Sequence, residues 1–159
     1  PIKLGTAADV VVDAALASMT RLNDDAARIA VAAGVRGATD VTGFGLLGHL
    51  GRAAIESGVD VAIEVASLPL LPGTRELAEA GSMPGGSRRN LEWADERLDQ
   101  GGFNELDVLL LADAQTSGGL VFGVDPTQVD GVLAELDSTG HVAAVIGTAT
   151  AGSGQITLT

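Results

Sequence analysis

Ala38-Thr39-Asp40-Val41-Thr42-Gly43-Phe44-Gly45-Leu46-Leu47-Gly48-His49-Leu50 is the stretch of this chain whose pattern decides most about its fold. A short apolar segment at 35–41 leads into a turn that is rich in glycine. After the turn, apolar residues recur at helical spacing, at Phe44, Leu47, Leu50 and Ala54. The stretch therefore predicts a strand, a tight turn and a helix in that order.

Two helices are predicted before this unit. The first covers about 7–21 and follows a capping box formed by Thr6 and Asp9. The second begins after Asn23, a residue type that caps helices, and stops at Gly34. Their expected buried positions are Val12, Leu16 and Met19 in the first, and Ile29, Ala30 and Ala33 in the second. Both helices are expected to be scaffold.

After the unit, strands again alternate with helices. The predicted strands pass through Val61, Ile63 and Val65, and cover 120–124, 142–148 and 155–158, the last two being joined by a turn at 152–154. The predicted helices are a short one at 74–80 and one that begins after Asp125-Pro126. The core face of the second helix is expected at Val129, Val132, Leu133 and Leu136. Residues 66–104 are otherwise predicted to be a long surface region, either functional or disordered. The order of elements predicts an α+β domain, layered α/β/α, in which helices cover a mixed sheet.

Composition supports one globular domain spanning residues 1–159. Hydrophobic residues make up 46% of the chain and charged residues 19%, which excludes a disordered tail. Nine Lys and Arg oppose 21 Asp and Glu, and the net charge of -12 would repel nucleic acid or an anionic membrane. A phosphate-bearing ligand would need a divalent cation or a local basic patch to bind such a chain.

Some classes of chemistry are excluded by residue types that the chain lacks. It contains no Cys, so disulfides, a thiolate nucleophile and Cys-ligated zinc are impossible within these residues. No apolar run approaches the length of a membrane span, and the first residues lack the apolar core of a signal peptide. We therefore expect a cytoplasmic protein with no membrane partner.

Asp40 is the main candidate for a metal ligand. It stands where a strand ends and a glycine-rich turn opens a helix, a position that favours anions and lets a carboxylate hold a hard cation. Thr39, Gly43 and Gly45 are the candidate nucleotide-contacting residues of the same turn. The alternative is that Asp40 is a turn residue and that the glycines serve only the backbone. From spacing alone both interpretations stay open.

Two other segments carry polar groups that could meet a phosphate. The loop 113–120 has hydroxyls, an amide and two glycines, and could contact a phosphate or another domain, or form an Asx-type turn and cap. Arg88 and Arg89 are the one adjacent basic pair of this acidic chain. They could clamp a phosphate, or be solvated arginines on a mobile loop.

The remaining candidates lack partners in the sequence. His49 and His141 have no second ligand at metal-binding spacing, so both are expected to be structural or exposed. Ser117 has neither a nearby base nor the surroundings of a hydrolase nucleophile.

The segments 38–50, 84–90 and 113–120 together resemble the three signature segments in the C-terminal half of selenophosphate synthetases, in order and at similar spacing. Lys3-Leu4-Gly5-Thr6 is similar to the short segment that enters that half. The resemblance covers nearly the whole chain, and the run from Thr39 to His49 is its specific part. Aminoimidazole ribonucleotide synthetase and the hydrogenase-maturation dehydratase share the fold but carry different residues there.

The resemblance implies a layered domain of the aminoimidazole ribonucleotide synthetase C-terminal type, with a partly ferredoxin-like sheet. It implies a reaction in which ATP, selenide and water give selenophosphate, AMP and orthophosphate, with Mg²⁺ bridging the phosphates. Asp40 matches the one metal ligand that the C-terminal half contributes. The family's reactive Cys or selenocysteine, its paired Lys, its other metal-binding Asp residues and its glycine-rich nucleotide loop belong to an N-terminal half.

No catalytic residue is therefore expected in this chain, and the chain alone is expected to be inactive. Its partner would be its own N-terminal ATP-binding half, in a full-length homodimer, while the isolated domain would be a monomer. Two alternatives stay open: another ATP-dependent synthetase of the same superfamily, and a non-catalytic interaction module that keeps the fold.

Overall fold

The computed structural model describes residues 7–159, so Lys3–Leu4–Gly5–Thr6, including the Thr6 half of the predicted capping box, lies outside the described residues. Seven α-helices are found in the described part: α1 (Asp9–Thr20), α2 (Asp24–Ala32), α3 (Gly45–Ser57), α4 (Thr74–Glu79), α5 (Gly85–Ala94), α6 (Glu105–Leu111) and α7 (Val129–Ser138). Three 3-10 turns accompany them, at Val65–Ser67, Asp95–Arg97 and Pro126–Gln128. None of these helices is long and apolar enough to cross a lipid bilayer.

The strands form two sheets. They are β1 (Ala38–Asp40), β2 (Val59–Ile63), β3 (Leu98–Asp99), β4 (Leu120–Phe122), β5 (Gly147–Ala151) and β6 (Ile156–Leu158). The larger sheet has the order β3-β6-β2-β5, with β6 parallel to both β3 and β2 and β5 antiparallel to β2. The smaller sheet is an antiparallel pair of β1 and β4. The predicted α+β domain with a mixed sheet and covering helices is confirmed.

Each sheet has its own hydrophobic core. The larger core lies between the four-stranded sheet and helices α3, α5 and α6, around the fully buried side chains of Leu47, Ile63 and Val108. In the smaller core, α2 and α7 pack against the β1–β4 pair through Ile29 and Leu136. The turn after β1 therefore connects the two cores, because β1 is a strand of the smaller sheet and α3 packs in the larger core.

The prediction of a long irregular region at 66–104 is wrong for its second half. The short helix predicted at 74–80 is confirmed as α4, but α5 occupies Gly85–Ala94 and makes residues 84–90 helical. The mobile-loop interpretation of Arg88 and Arg89 is thereby corrected. Two consecutive glycines at the start of the helix hide its local signal, since glycine has poor helix propensity. Helix α6 was not predicted either.

The predicted strands near the C-terminus need a second correction. Residues 142–146 are not in a strand, and β5 begins only at Gly147. The turn at 152–154 connects β5 to β6, as expected, but these strands lie on opposite sides of β2 and do not pair with each other. Hydrogen bonds to β2, which periodicity does not reveal, decide this arrangement. The predicted strand at 35–41 is likewise shorter, because only Ala38–Asp40 pairs with β4.

Several predicted burial positions also change. Phe44, the first of the apolar residues at helical spacing, is 67% exposed, and Leu16 of α1, an expected buried position, is 49% exposed. Helix α1 has no buried residue at all. Asn23 does not cap α2; its side-chain amide instead donates to the carbonyl oxygen of Gly118 at 3.1 Å. The apolar residues do recur at helical spacing, but neighbouring elements do not cover every one of them.

Candidate functional site

Asp40 is the last residue of β1, the strand that pairs with β4. Its α-carbon is in register with Leu120, the first residue of β4, and the residue is exposed. The next residue, Val41, is buried and continues the pairing: its N–H donates to the carbonyl oxygen of Gly119 at 2.9 Å. The backbone before and after Asp40 is thus paired along one edge, to β4 and to Gly119, and the residue itself is exposed.

The turn that follows is closed by its own backbone and by His49 of α3. The Gly45 N–H donates to the Thr42 carbonyl oxygen at 3.0 Å. The half-buried ring of His49 lies between two threonines, with Nε2 3.0 Å from Thr42 Oγ1 and Nδ1 3.5 Å from Thr39 Oγ1. The ring thereby links the strand before the turn to the residue that opens it, which is the structural role expected for His49.

Gly45 is required by close packing as well as by conformation. Its φ of 68° lies in the left-handed region that favours glycine. A β-carbon at this position would lie 2.6 Å from the carbonyl carbon of Ala112. The start of α3 is therefore pressed against the C-terminal end of α6.

The loop 113–119 runs along the back of the same turn. The Gly118 N–H donates to the Val41 carbonyl oxygen at 2.9 Å, and the Gln115 N–H donates to the Thr42 carbonyl oxygen at 3.1 Å. Gly118 has no room for a side chain, since a β-carbon there would collide with the Val41 oxygen and the Gln115 side chain. The loop 113–119 therefore packs against the turn that follows Asp40 and is hydrogen-bonded to its backbone.

Helix α5 brings the third predicted segment to the same place through two buried polar side chains. The amide nitrogen of Asn90 donates to the carbonyl oxygens of Gly43 and Ala112, both at 3.0 Å. The hydroxyl of Ser87 donates to Asp113 Oδ1 at 3.3 Å and accepts from the Ala114 N–H at 3.2 Å. The three sequence segments therefore meet around one turn, although they are distant along the chain.

Asp113 is the titratable group most affected by this packing. Burial raises the pKa of its carboxyl above the ordinary value, and the hydrogen bond from Ser87 offsets part of that rise. The group lies behind the turn, next to Ala114. Its geometry fits a structural contact between α5 and the loop.

The other candidates lie elsewhere or have other partners. Arg88 pairs with Glu105 at 2.9 Å, and both side chains are largely exposed. Arg89 is exposed on the same helix. His141 Nδ1 lies 2.8 Å from Thr139 Oγ1, so neither histidine is a partner of Ser117.

The described residues do not form a complete metal site. Among residues 7–159 there is no group of three or more His, Cys, Asp or Glu side chains that could hold a metal ion. An outward carboxylate at a strand end nevertheless fits Mg²⁺, which keeps several waters and is commonly held by one or two carboxylates together with substrate phosphates. Asp40 therefore has the exposure and the chemistry that such a ligand requires.

Sequence reasoning missed the two residues that hold the turn from behind. The arginines of 84–90 point outward, and the buried positions of α5 are Ser87, Asn90 and Ala94. These positions are three and four residues apart, which is helical spacing. The signal was hidden because a core face with polar residues does not register as hydrophobic periodicity.

Comparison with known proteins agrees with the fold. The family model described as "AIR synthase related protein, C-terminal domain" matches residues 3–158. A selenide, water dikinase of Porphyromonas gingivalis strain ATCC 33277 is 42% identical over 150 residues, covering 93% of this chain and 43% of that protein. The corresponding protein of Carboxydothermus hydrogenoformans is 40% identical over 139 residues, covering 87% of this chain and 40% of that protein.

Two further matches were found. A selenide, water dikinase of Pelobacter propionicus is 38% identical over 152 residues, covering 92% of this chain and 42% of that protein. A solved thiamine-monophosphate kinase from Stenotrophomonas maltophilia K279a covers 78% of this chain and 31% of its own, at 20% identity and a TM-score of 0.48, too weak a likeness to carry a conclusion.

The chain spans less than half the length of the dikinases that it matches. Their identity to it over most of its residues confirms the resemblance to selenophosphate synthetases. Together with the family match over residues 3–158, it shows that the chain belongs to the AIR synthase related protein family as a C-terminal domain of the selenide, water dikinase type.

Proposed function

We propose that this chain is the C-terminal half of a selenophosphate synthetase, the enzyme that makes selenophosphate, AMP and orthophosphate from ATP, selenide and water. Its partner would be its own N-terminal ATP-binding half, in a homodimeric cytoplasmic enzyme. The observation that carries the proposal is the exposed carboxylate of Asp40 at the point where the three signature segments meet. The dikinase names of the relatives support the same substrate class.

Asp40 would hold Mg²⁺ together with carboxylates of the N-terminal half. When bound, Mg²⁺ neutralises charge on the transferring phosphoryl groups. The role of this chain would be to present the carboxylate on a hydrogen-bonded backbone, since β1 pairs with β4 and Val41 is bonded to Gly118 and Gly119. A ligand placed in advance contributes more to the transition state than one that must reorganise.

The turn beyond Asp40 would form one wall of the nucleotide site. Gly43 is exposed, and a β-carbon there would have no atom within 4 Å, so its backbone is open to a phosphate. We propose that Gly43 faces the nucleotide, while Thr39 and Gly45 shape the turn, through His49 and Ala112 respectively.

The test joins this chain to a known N-terminal half. These 159 residues would replace the matching C-terminal part of the Porphyromonas gingivalis dikinase, and ATP consumption would be measured with and without selenide. We expect selenide to stimulate formation of AMP. Stimulation by a different substrate would indicate another ATP-dependent synthetase, and a folded hybrid without ATP turnover, beside an active parent, would favour an interaction module.

Asp40→Asn in the hybrid tests the ligand assignment. It keeps the shape of the side chain and removes its charge, so selenide-dependent turnover should fall on the order of a hundredfold, the loss typical of one preorganised electrostatic contact. Asp137→Asn, which removes an exposed carboxylate from α7, is the matched control and should leave turnover unchanged. Near-normal turnover of Asp40→Asn at limiting and saturating Mg²⁺ would refute the assignment.

A further inference from the structure

Helix α5 has a polar inner face that touches the turn beside Asp40. We propose that Asn90 and Ser87 are positioning residues for the turn that follows Asp40: Asn90 ties the turn to the end of α6 and Ser87 fixes the loop 113–119 behind it, so that Asp40 is presented in one place. This inference rests on the proposed function, because it deepens the role of the same site.

The burial of these two side chains is unusual for this chain. Among residues 7–159, Ser87 and Asn90 are the only buried residues with polar side chains, at 0% and 9% exposure. Burying an amide or hydroxyl costs free energy unless it is hydrogen-bonded, and an apolar residue would pack there without that cost. Both polar side chains lie on one face of α5, one helical turn apart.

Asn90 connects the exposed part of the turn to the core. One N–H bond goes to the Gly43 carbonyl and the other to the Ala112 carbonyl, so a single side chain joins the turn to the end of α6. Gly43 and Phe44 are themselves exposed, and no atom lies within 4 Å of where a Gly43 β-carbon would be. The Asn90 contact is therefore a principal restraint on this side of the turn.

Ser87 acts on the same turn indirectly, through the loop 113–119. Its hydroxyl holds the carboxylate of Asp113 and the N–H of Ala114, which start the loop 113–119. The next residue, Gln115, donates its N–H to Thr42, two residues after Asp40. If Ser87 were displaced, the loop at Asp113 and Ala114 would shift, and through Gln115 so would Thr42 in the turn.

The inference is tested in the hybrid enzyme with three alanine variants. Asn90→Ala and Ser87→Ala remove the proposed restraints. Asn104→Ala is the matched control, because Asn104 caps α6 at the end opposite Ala112, and its loss destabilises the helix without touching the turn. Each variant is compared by thermal unfolding, by hydrogen exchange of peptides spanning 41–47 and 113–119, and by the Mg²⁺ concentration for half-maximal activity.

Asn90→Ala should exchange faster in both peptides and should require about tenfold more Mg²⁺ or higher, with activity partly recovered at saturating Mg²⁺, as for other groups that orient a metal ligand. Ser87→Ala should change both quantities in the same direction. Asn104→Ala should lower the unfolding temperature but leave turn exchange and the Mg²⁺ requirement unchanged. If Asn90→Ala does not fold, Ser87→Ala decides the question by the same two measurements.

The inference is overturned if Asn90→Ala and Ser87→Ala behave like Asn104→Ala, or if turn exchange rises while the Mg²⁺ requirement stays normal. A normal Mg²⁺ requirement in Asp40→Asn would refute the proposed metal ligand instead. Turn exchange, which needs no metal, would then decide the restraint: rates equal to the parent in Asn90→Ala would overturn it.

Discussion

The carboxylate of Asp60 accepts a hydrogen bond from the backbone N–H of Ser153 at 2.7 Å, across the end of β2. The same oxygen also accepts from the next two backbone N–H groups, of Gly154 at 3.0 Å and Gln155 at 2.8 Å. The Asp60 side chain, which belongs to β2, therefore anchors the turn that connects β5 to β6, the two strands on either side of β2. This contact explains how two consecutive strands can flank β2 without pairing.

Asp60→Asn should destabilise the chain at neutral pH. Hydrogen bonds from the backbone N–H groups of Gln155, Ser153 and Gly154 lower the pKa of Asp60. The ionised carboxylate therefore stabilises the fold fully above the ordinary pKa of the group. This contribution to stability is lost as the pH falls through the lowered pKa. Asn keeps the shape but accepts more weakly. The melting temperature should fall by a few degrees at pH 7, and the difference should vanish in acid.

Unfolding of these variants can be followed by the fluorescence of Trp93, the one tryptophan of the chain. Asp40→Asn is the matched control at an exposed position. Equal melting temperatures for Asp60→Asn and the parent at pH 7 would show that the three hydrogen bonds carry no net stability.

Asp113→Asn should have the opposite effect. Burial raises the pKa of Asp113, so the unfolded chain ionises first as pH rises, and stability falls between the ordinary pKa and the raised one. An Asn at this position accepts the Ser87 hydrogen bond without a buried charge. Its melting temperature should exceed that of the parent at pH 7 and equal it below the ordinary pKa of the carboxyl; lower stability at every pH would contradict this account.

Gly45→Ala should destabilise the fold strongly, whereas Gly43→Ala should not. Alanine at Gly45 meets the backbone of Ala112 at 2.6 Å and must also adopt a φ of 68°, a conformation that alone costs about 1–2 kcal/mol. Gly43 has open space and an ordinary φ. Urea unfolding of both variants measures the difference, and comparable midpoints would show that the start of α3 moves away from α6 easily.

The chain by itself should not turn over ATP. Under the proposed function, the nucleophile and most Mg²⁺ ligands would be supplied by the N-terminal half, and Asp40 would be the one ligand that this chain contributes. Incubation with ATP, Mg²⁺ and selenide should release no phosphate above background. AMP formation that follows the protein through purification would refute this expectation.

The same preparation should be monomeric. The net charge of -12 opposes association of like chains at moderate salt. Light scattering at physiological salt gives the molar mass directly. A dimer that persists on dilution would mean that this domain carries an interface of its own.

The sequence by itself determined the elements whose signals are local. Helical spacing and a stop at Gly34 gave α2, and the cap at Asp125 gave the turn that starts α7, because each signal acts within a few residues. The strand, turn and helix around Asp40 followed from the glycines and the apolar spacing. The two segments that surround this turn could be recognised by resemblance, but their positions in space could not.

Tertiary structure alone decided how these elements meet. The bond from Asn90 to Gly43 joins residues 47 positions apart, and the bonds from the Ser153 turn to Asp60 span more than 90. Such contacts produce no periodic pattern in a sequence, because they depend on which backbone N–H and C=O groups are left without a partner once the strands have paired. Helix α5 likewise forms despite two unfavourable glycines, because the hydrogen bonds of Ser87 and Asn90 and the burial of Ala94 stabilise it within the domain.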